Sequence, residues 1–512
     1  MVTQDQHAVL AFLTNPLSHG DAALNIHTTE THLSVIIFVG SRVFKLKRAV
    51  RLPYVDFSTP QRRLEACHRE LALNRRTAPQ LYVAVRQITR EADGRLVFDG
   101  PGELFDAVVE MVRFDEDALF DRLAVRGQLT PIVLTELAGI IARFHAEAAI
   151  DRHGGGADRI AAVLTTNEES LTVSGIFLPA TIATLTTNLW RAFDEHVALL
   201  NARAREGKVR RCHGDLHLRN ICLVQGVPTL FDCVEFDEAL GTVDVLYDLA
   251  FLLMDLWHLG LASDANLVFN RYLDERNEVD GLSLLPFFMA VRASIRAHVT
   301  AQLASQATGQ QRDDLAAEAE SYAALALRLL APVSVRLVAI GGLSGTGKST
   351  VAAAIAHTIG PAPGARVVAS DRIRKRCYGV SAQTRLPAQA YHLAVSQRVY
   401  AALARNVRVV LSAGHGAVAD AVYDRADERD RIERIALETG VPFTGIWLYA
   451  QPAQLFSRVD QRSGDPSDAT AEVVREQLAR DCGRLAWLQI DASSTVAAAA
   501  AHIAQVLAVP DT

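Results

Sequence analysis

The sequence predicts two domains of different class. The first, over residues 1–332, is an α+β domain with a small β lobe and a larger helical lobe. The second, over residues 333–512, is an α/β domain built on a parallel sheet. Three observations carry this reading. Short β-rich runs crowd residues 33–111, helical periodicity fills most of residues 130–330, and after Ala331-Pro332 strand-like runs alternate with helix-like segments. Strict β/α alternation predicts a parallel sheet covered on both faces. A chain of 512 residues is also too long for one ordinary domain.

Taken in order, LSVIIFV, RVFKLK, YVAVRQI, RLVF and DAVVEMV read as strands, interrupted by a helical pattern around Arg62–Arg76. The helical region holds PIVLTELAGIIARFHAEAA and the run from Asp244 to Leu259, with a strand-and-loop island between Arg211 and Phe236. In the second domain VRLVAIG, ARVVAS, VRVVLSA, FTGIWLYA and LQIDA are the expected strands. VRVVLSA is the third, and it follows a helix ending in QRVYAAL. The alanine-rich SSTVAAAAAHIAQVL is a good terminal helix.

Composition narrows the function class. Half of the residues are hydrophobic and 21% are charged, a globular balance. A net charge of -6 and a pI near 6.3 give no global field toward nucleic acid or anionic lipid. The six cysteines form no CxxC pair, which suggests reduced, mostly buried thiols. The start, MVTQDQHAVL, does not have the pattern of a signal peptide. The most apolar stretch, Val243 to Leu261, carries Asp244, Asp248 and Asp255, so a buried helix is expected there and not a membrane span. The expectation is a soluble, cytoplasmic protein that does not enter membranes.

The sharpest motif is Gly342-Leu-Ser-Gly345-Thr-Gly347-Lys348-Ser349, with Thr350 next, between a strand-like and a helix-like run. It fits G-x-x-x-x-G-K-[ST]. Glycines let backbone N–H groups turn inward around phosphate oxygens, and the following helix N-terminus favours an anion. Lys348 would reach the β- and γ-phosphates of a nucleotide, and the Ser349 hydroxyl would ligate Mg²⁺. Asp371, at the end of the next strand, faces the ligand crevice of such sheets and would accept a proton from an attacking hydroxyl. Read otherwise, it caps a solvated basic helix. Arg458 and Arg462 lie just before SGDPSDA, a lid-like segment, and would neutralise charge on a transferring phosphate.

This half resembles the AAA_33 group of P-loop kinases over about residues 335–490, through GLSGTGKST, SDRIRK, QRVYAAL and the SDA of the lid. The resemblance implies an α/β P-loop NTPase fold. Relatives usually place an aspartate at the end of the third strand, where VRVVLSAGHG offers Ser412 and Gly414; the expected departure is a missing magnesium carboxylate.

The island in the helical lobe reads His213-Gly-Asp215-Leu-His217-Leu-Arg-Asn220, which contains D-x-x-x-x-N. Asp215 would orient or deprotonate an acceptor hydroxyl, and Asn220 and Asp232 would hold Mg²⁺. Lys45 and Lys47 share one strand face, and Glu70 in the next helix is the expected partner of Lys45; Lys47 and Glu65 are the alternatives.

Together with THLSVIIFVGSRVFKLKRAV, DFSTPQRRLEACHRELALNRR, FDCVEFDEA and DLAFLLMDL, these pieces make residues 28–300 resemble the aminoglycoside phosphotransferase-like branch of the kinase fold. Within it the likeness is to a group that fuses this domain to an AAA_33 kinase. The resemblance implies an α+β kinase-like domain, ATP and Mg²⁺ as cofactors, hydroxyl phosphorylation, and main-chain contacts near Glu110–Val112. Two departures stand out: Thr31–Ser34 replaces a glycine-rich loop, and Gly241 stands where relatives often carry arginine.

The favoured partner is a small-molecule hydroxyl acceptor for each domain. A nucleic-acid 5′ end is an alternative for the P-loop half, hinted at by RIRKR. The third reading makes that half a non-catalytic nucleotide sensor.

Overall fold

The first long helix opens at Thr59-Pro60 for a local reason. The Thr59 hydroxyl accepts the Arg62 N–H (3.3 Å), and proline at the first helical position has no N–H to leave unpaired. The helix runs Pro60–Asn74, and Arg63, Ala66, Cys67, Glu70 and Asn74 form its buried face. It lies against a six-stranded antiparallel sheet in the order Ile26–Glu30, Ser34–Val39, Arg42–Lys47, Glu103–Val112, Tyr82–Arg90, Leu96–Phe98. The computed structural model describes residues 4–20, 23–52, 55–461 and 467–508. The chain divides into two compact units, Met1–Thr165 with Glu195–Asp255, and Thr166–Asp194 with Leu256–Thr512.

In the first unit the two faces of the sheet serve different purposes. Phe44 and Leu46 join Val35, Ile37 and Val108 under the short helix His7–Leu13, which contributes Val9 and Leu13. Val43 packs instead with Cys67 of the Pro60–Asn74 helix and with Val109 and Met111. Because side chains alternate along a strand, Lys45 and Lys47 point with Val43 toward that helix. The expected strands are all present. The added edge strand, Ile26–Glu30, is largely exposed and so carries no apolar alternation. The helical part begins with Pro131–Glu147, capped by Thr130. It ends in the Val245–His258 helix, which accounts for the apolar stretch noted in the sequence. Among the described residues no helix is long and apolar enough to cross a membrane, and all six cysteines are free.

The second unit pairs the long helices Leu284–Gln306 and Gly309–Leu329 along their length. It also contains a five-stranded, all-parallel sheet in the order Arg366–Ala369, Ala417–Asp420, Leu337–Gly342, Phe443–Tyr449, Leu488–Asp491. Val338, Ile340, Val418 and Ile446 form its core with Ile355 and Ile503, from the helices Lys348–Ala356 and Val496–Ala508.

One expected element is corrected. VRVVLSA is not the third strand; it is the last part of a single helix, Leu393–Ser412. Val399, Leu403, Val407 and Val410 recur at helical spacing and are buried, whereas Val409 is 51% exposed. The first breaker available to the chain is Gly414, with φ +72°, so the β-branched run stays helical until that point. The strand that follows is Ala417–Asp420 and ends on a carboxylate.

This assignment predicts opposite outcomes at adjacent valines. By denaturant unfolding, Val410→Asp should lose roughly 3 kcal/mol or more, because it buries an unpaired charge. Val409→Asp should stay within about 0.5 kcal/mol of wild type. A strand with residues 407, 409 and 411 facing inward would make Val409→Asp the damaging change.

Candidate active sites

In the first unit the His213–Asn220 loop is held from below by the Val245–His258 helix. Asp248, fully buried, accepts the N–H groups of His213 (3.1 Å) and Gly214 (2.8 Å) and lies 3.1 Å from His145 Nε2. Asp255 accepts the Leu218 N–H at 3.0 Å. Gly214 has φ +85°, and a Cβ there would come within 3.0 Å of the Gly241 Cα and the Leu240 carbonyl. Only glycine fits this turn.

That scaffold presents Asp215 and Asn220 together. Asn220 Nδ2 donates to both the Asp215 carbonyl and its Oδ2, each at 2.9 Å, so that both bonds use the amide nitrogen and neither uses Oδ1. His213 Nε2 donates to the Phe231 carbonyl (2.9 Å), and the Phe231 N–H donates to the Asn220 carbonyl (3.0 Å), so the next residue, Asp232, stands beside the pair. Asp232 adopts φ +63°, a conformation uncommon outside glycine, and donates its N–H to the Tyr82 hydroxyl (3.2 Å). Cys233 N–H donates to Asn74 Oδ1 at 2.8 Å.

Lys45 completes the cluster. Its ammonium lies 2.8 Å from Glu70 Oε1 and 2.5 Å from Asp232 Oδ1. Burial disfavours the charge on Lys45, yet Asp232 and Glu70 outweigh it and hold the ammonium well above its usual pKa. Glu70, sealed from solvent, is likewise opposed by burial, and Lys45 and Lys47 bring it down to about 2. Lys47 is not a substitute for Lys45: it is 1% exposed and pairs with Glu70 and Glu235. Glu65 faces solvent. Asp232 and Asp215 keep carboxylates about 40% exposed beside these sealed groups (39% and 41%), as a solvent-supplied cation and phosphate would require.

The second unit builds its site at the C-terminal ends of the parallel strands. Gly342, Gly345 and Gly347 all take positive φ, and a Cβ on Gly342 or Gly345 would strike the Leu448 or Leu455 carbonyl at 2.4 and 2.7 Å. Lys348 Nζ donates to the Leu343 carbonyl at 3.1 Å, across the loop. Ser349 Oγ donates to Asp420 Oδ2 at 2.6 Å, and Thr350 is exposed in the same helical turn. Arg458 donates to the Ala492 carbonyl (2.8 Å) beside Gly345, and Asp371 lies in the first turn of the Ser370–Cys377 helix. Arg462 falls outside the described residues.

Residues 39–282 match the phosphotransferase enzyme family (APH), and residues 337–481 match the AAA domain family AAA_33. Uncharacterized proteins of Mycobacterium tuberculosis and Mycobacterium bovis are 30% identical over 464 residues, covering 89% of this chain and 90% of theirs. The chain belongs to a family of fused phosphotransferase and P-loop kinase domains. Among solved structures, a thermostable mutant of an aminoglycoside phosphotransferase aligns at 14% identity, over 61% of this chain and 98% of that one, with a TM-score of 0.38. A sugar kinase from a Janibacter species aligns at 18%, over 34% of this chain and 96% of that one, with a TM-score of 0.27.

In this fusion protein the expected departure of the P-loop kinase domain disappears. Asp420 is the carboxylate at the end of the third strand, which starts at Ala417, ten residues beyond the start of VRVVLSA. The signal was AVAD after a glycine pair, a run too short to carry periodicity. Asp248 was noted only as a charge within an apolar helix; no local motif announces its hold on the loop. Together with His145 and Cys212 it forms the group among the described residues with spacing for a metal ion, but its carboxylate is already spent on the His213–Asn220 loop. Gln477 Oε1 accepts the Ser344 N–H of the phosphate loop at 2.8 Å, also without a sequence signal.

The two departures of the phosphotransferase domain have structural readings. Thr31–Ser34 is a tight hairpin turn, with the Thr31 N–H donating to the Ser34 carbonyl (2.8 Å) and the Ser34 N–H to Thr31 Oγ1 (3.0 Å). A Cβ at Gly241 would lie 1.4 Å from Arg211 Nη1, so the Arg211 guanidinium fills the space of a side chain at 241. In the Glu110–Val112 stretch, where the resemblance implies main-chain contacts, the Val112 N–H donates to the Leu81 carbonyl at 2.8 Å.

A pH window follows from Glu70. Its carboxylate sits at about 2 in the fold against 4.5 ordinarily, so its stabilisation is complete above pH 4.5 and is lost as pH falls toward 2. Wild type should exceed Glu70→Gln by on the order of 3 kcal/mol near neutral pH. In chemical unfolding measured across pH, that gap should narrow only below pH 4.5.

Proposed function

We propose that the protein is a cytoplasmic, ATP- and Mg²⁺-dependent kinase with two active sites, one in residues 1–332 and one in residues 333–512. Each would transfer the γ-phosphoryl group to a hydroxyl of a small-molecule acceptor. The observation that carries this reading is the convergence, from separate stretches of chain, of Lys45 ion-paired with Glu70 and Asp232 and of Asn220 bonded to Asp215, the two sets tied by the main-chain bond from Phe231 N–H to the Asn220 carbonyl.

In the first site Lys45 binds the α- and β-phosphates, oriented by Glu70. Asn220 Oδ1 and the Asp232 carboxylate hold Mg²⁺, which when bound screens the phosphate charge. Asp215 accepts the acceptor's hydroxyl proton as that oxygen forms its bond to the γ-phosphorus; the bond to the bridging oxygen breaks, and ADP leaves. In the second site Gly342, Gly345, Gly347, Lys348 and Thr350 line the phosphates, Ser349 with Asp420 behind it holds Mg²⁺, and Asp371 takes the proton. Arg458 would meet the transferring group, and Arg462 is the second arginine that the sequence offers for that role.

Two observations favour this over the alternatives. The sensor reading rested on a third strand without a terminal carboxylate, and Asp420 removes that ground. The nucleic-acid reading rested on RIRKR, yet Arg374 is buried on the Ala390 carbonyl (2.6 Å) and Lys375 on Asp468 (2.5 Å). Those charges are consumed inside the protein and do not line a basic channel.

ADP release from ATP-Mg²⁺ with a small-metabolite extract tests the proposal. Asp215→Ala and Lys348→Ala should each remove part of the acceptor-dependent turnover, by about 100-fold or more for the affected site, and Asp420→Ala should mimic Lys348→Ala. Wild-type protein with no acceptor-dependent turnover would defeat the kinase reading.

A further inference from the structure

The strand Arg366–Ala369 is the edge of the parallel sheet, with a hydrogen-bonded neighbour on one side only. Its free side is covered by a helix, Ala262–Glu275, that lies within the stretch matching the phosphotransferase family and within the same compact unit as the sheet. Asn266, Asn270 and Asp274 recur every four residues and so form one stripe on that helix.

Each member of the stripe bonds to the strand region. Asn266 Nδ2 donates to the carbonyls of Pro363 (2.9 Å) and Ala365 (3.1 Å). Asn270 acts as a peptide group would in a neighbouring strand: its Oδ1 accepts the Val367 N–H (2.8 Å), and its Nδ2 donates to the Ala365 carbonyl (3.2 Å). Both asparagines are 2% exposed, so these bonds are made out of water, where an unpaired amide is costly. Phe269 of the same helix, fully buried, meets the His415 ring edge-on at 5.4 Å between centroids.

Asp274 ends the stripe. Its carboxylate lies 2.7 Å from Arg366 Nη2, 2.9 Å from Arg372 Nη1 and 2.6 Å from Arg271 Nη1. A single carboxylate therefore holds three guanidiniums, one of them on the residue next to Asp371. Burial, with the Arg372 and Arg366 charges beside it, pushes Arg271 down to about 10 although Asp274 opposes this, so the cluster tolerates no loss of negative charge.

We propose that the Ala262–Glu275 helix is a working part of the P-loop kinase: Asn270 closes the sheet edge, and Asp274 is a positioning residue that fixes Arg372 and the helix turn bearing Asp371. The phosphotransferase-family stretch would thus supply a fixed piece of the second site. The claim rests on the reading of Asp371 as the acceptor-end carboxylate.

The test uses the full chain and three readouts: ADP release with a small-metabolite extract, binding of a fluorescent ATP analogue, and amide exchange over residues 365–369. P-loop turnover is the portion lost in Lys348→Ala. Asp274→Asn should lower that portion about tenfold. It should leave analogue binding and the Asp215-dependent portion unchanged, and Asp274→Glu should recover part of the loss. Asn270→Ala should speed exchange of the Val367 amide. Wild-type P-loop turnover in Asp274→Asn, with Asp371→Asn inactive, would overturn the positioning role alone. Wild-type turnover in Asp371→Asn would overturn the reading of Asp371 and the positioning claim with it. Unchanged Val367 exchange in Asn270→Ala would overturn the closure of the edge.

Discussion

Five buried or half-buried charges in series, Asp232–Lys45–Glu70–Lys47–Glu235, are the constraint on which the phosphotransferase site depends. Taking such groups out of water is costly, and the cost is repaid only when every member keeps its partner. The series therefore fixes several things at once. It sets the register of the Arg42–Lys47 strand, the seating of the Pro60–Asn74 helix and the path of the chain from Asp232 to Glu235. The positive φ at Asp232 belongs to the same account, since the chain must turn there to bring its carboxylate onto Lys45. Three carboxylates against two lysines leave surplus negative charge, and its solvent-facing end is Asp232, where a divalent cation would be welcome.

The P-loop site solves a similar problem with little side-chain charge. Gly342 and Gly345, where a Cβ would strike a neighbouring carbonyl, keep the backbone open for phosphate, and the cation end of the proposed site is reduced to Ser349, at the start of the Lys348–Ala356 helix, and Asp420, at the end of the Ala417–Asp420 strand. Parallel order does the rest, because every strand delivers its C-terminal end to one crevice.

Much of this was legible in the sequence wherever a residue acts through its immediate neighbours. GLSGTGKS, HGD with D-x-x-x-x-N, and the alternation that puts Lys45 on the helix-facing side of its strand are local signals, and the structure brings those residues together. What failed to show was contact across the chain. Asp248 is one aspartate in an apolar helix until its bonds to His213 and Gly214 are seen. Arg63, with a charge that suggests a surface, is fully buried on Asp106. Asp420 was obscured for a different reason: VRVVLSA has strand propensity, but helical periodicity inherited from Leu393 onward outweighed it, and the four-residue strand beyond Gly414 was too short to compete.

The central claim is that one chain carries two separate phosphate-binding centres. Equilibrium binding of a non-hydrolysable ATP analogue with Mg²⁺, counted per chain, addresses it most directly. The account predicts two nucleotides per wild-type chain, one each for Lys45→Ala and Lys348→Ala, and none for the double variant. A wild-type stoichiometry of one that Lys45→Ala leaves untouched would contradict it, and would reduce the phosphotransferase domain to a fold without its chemistry.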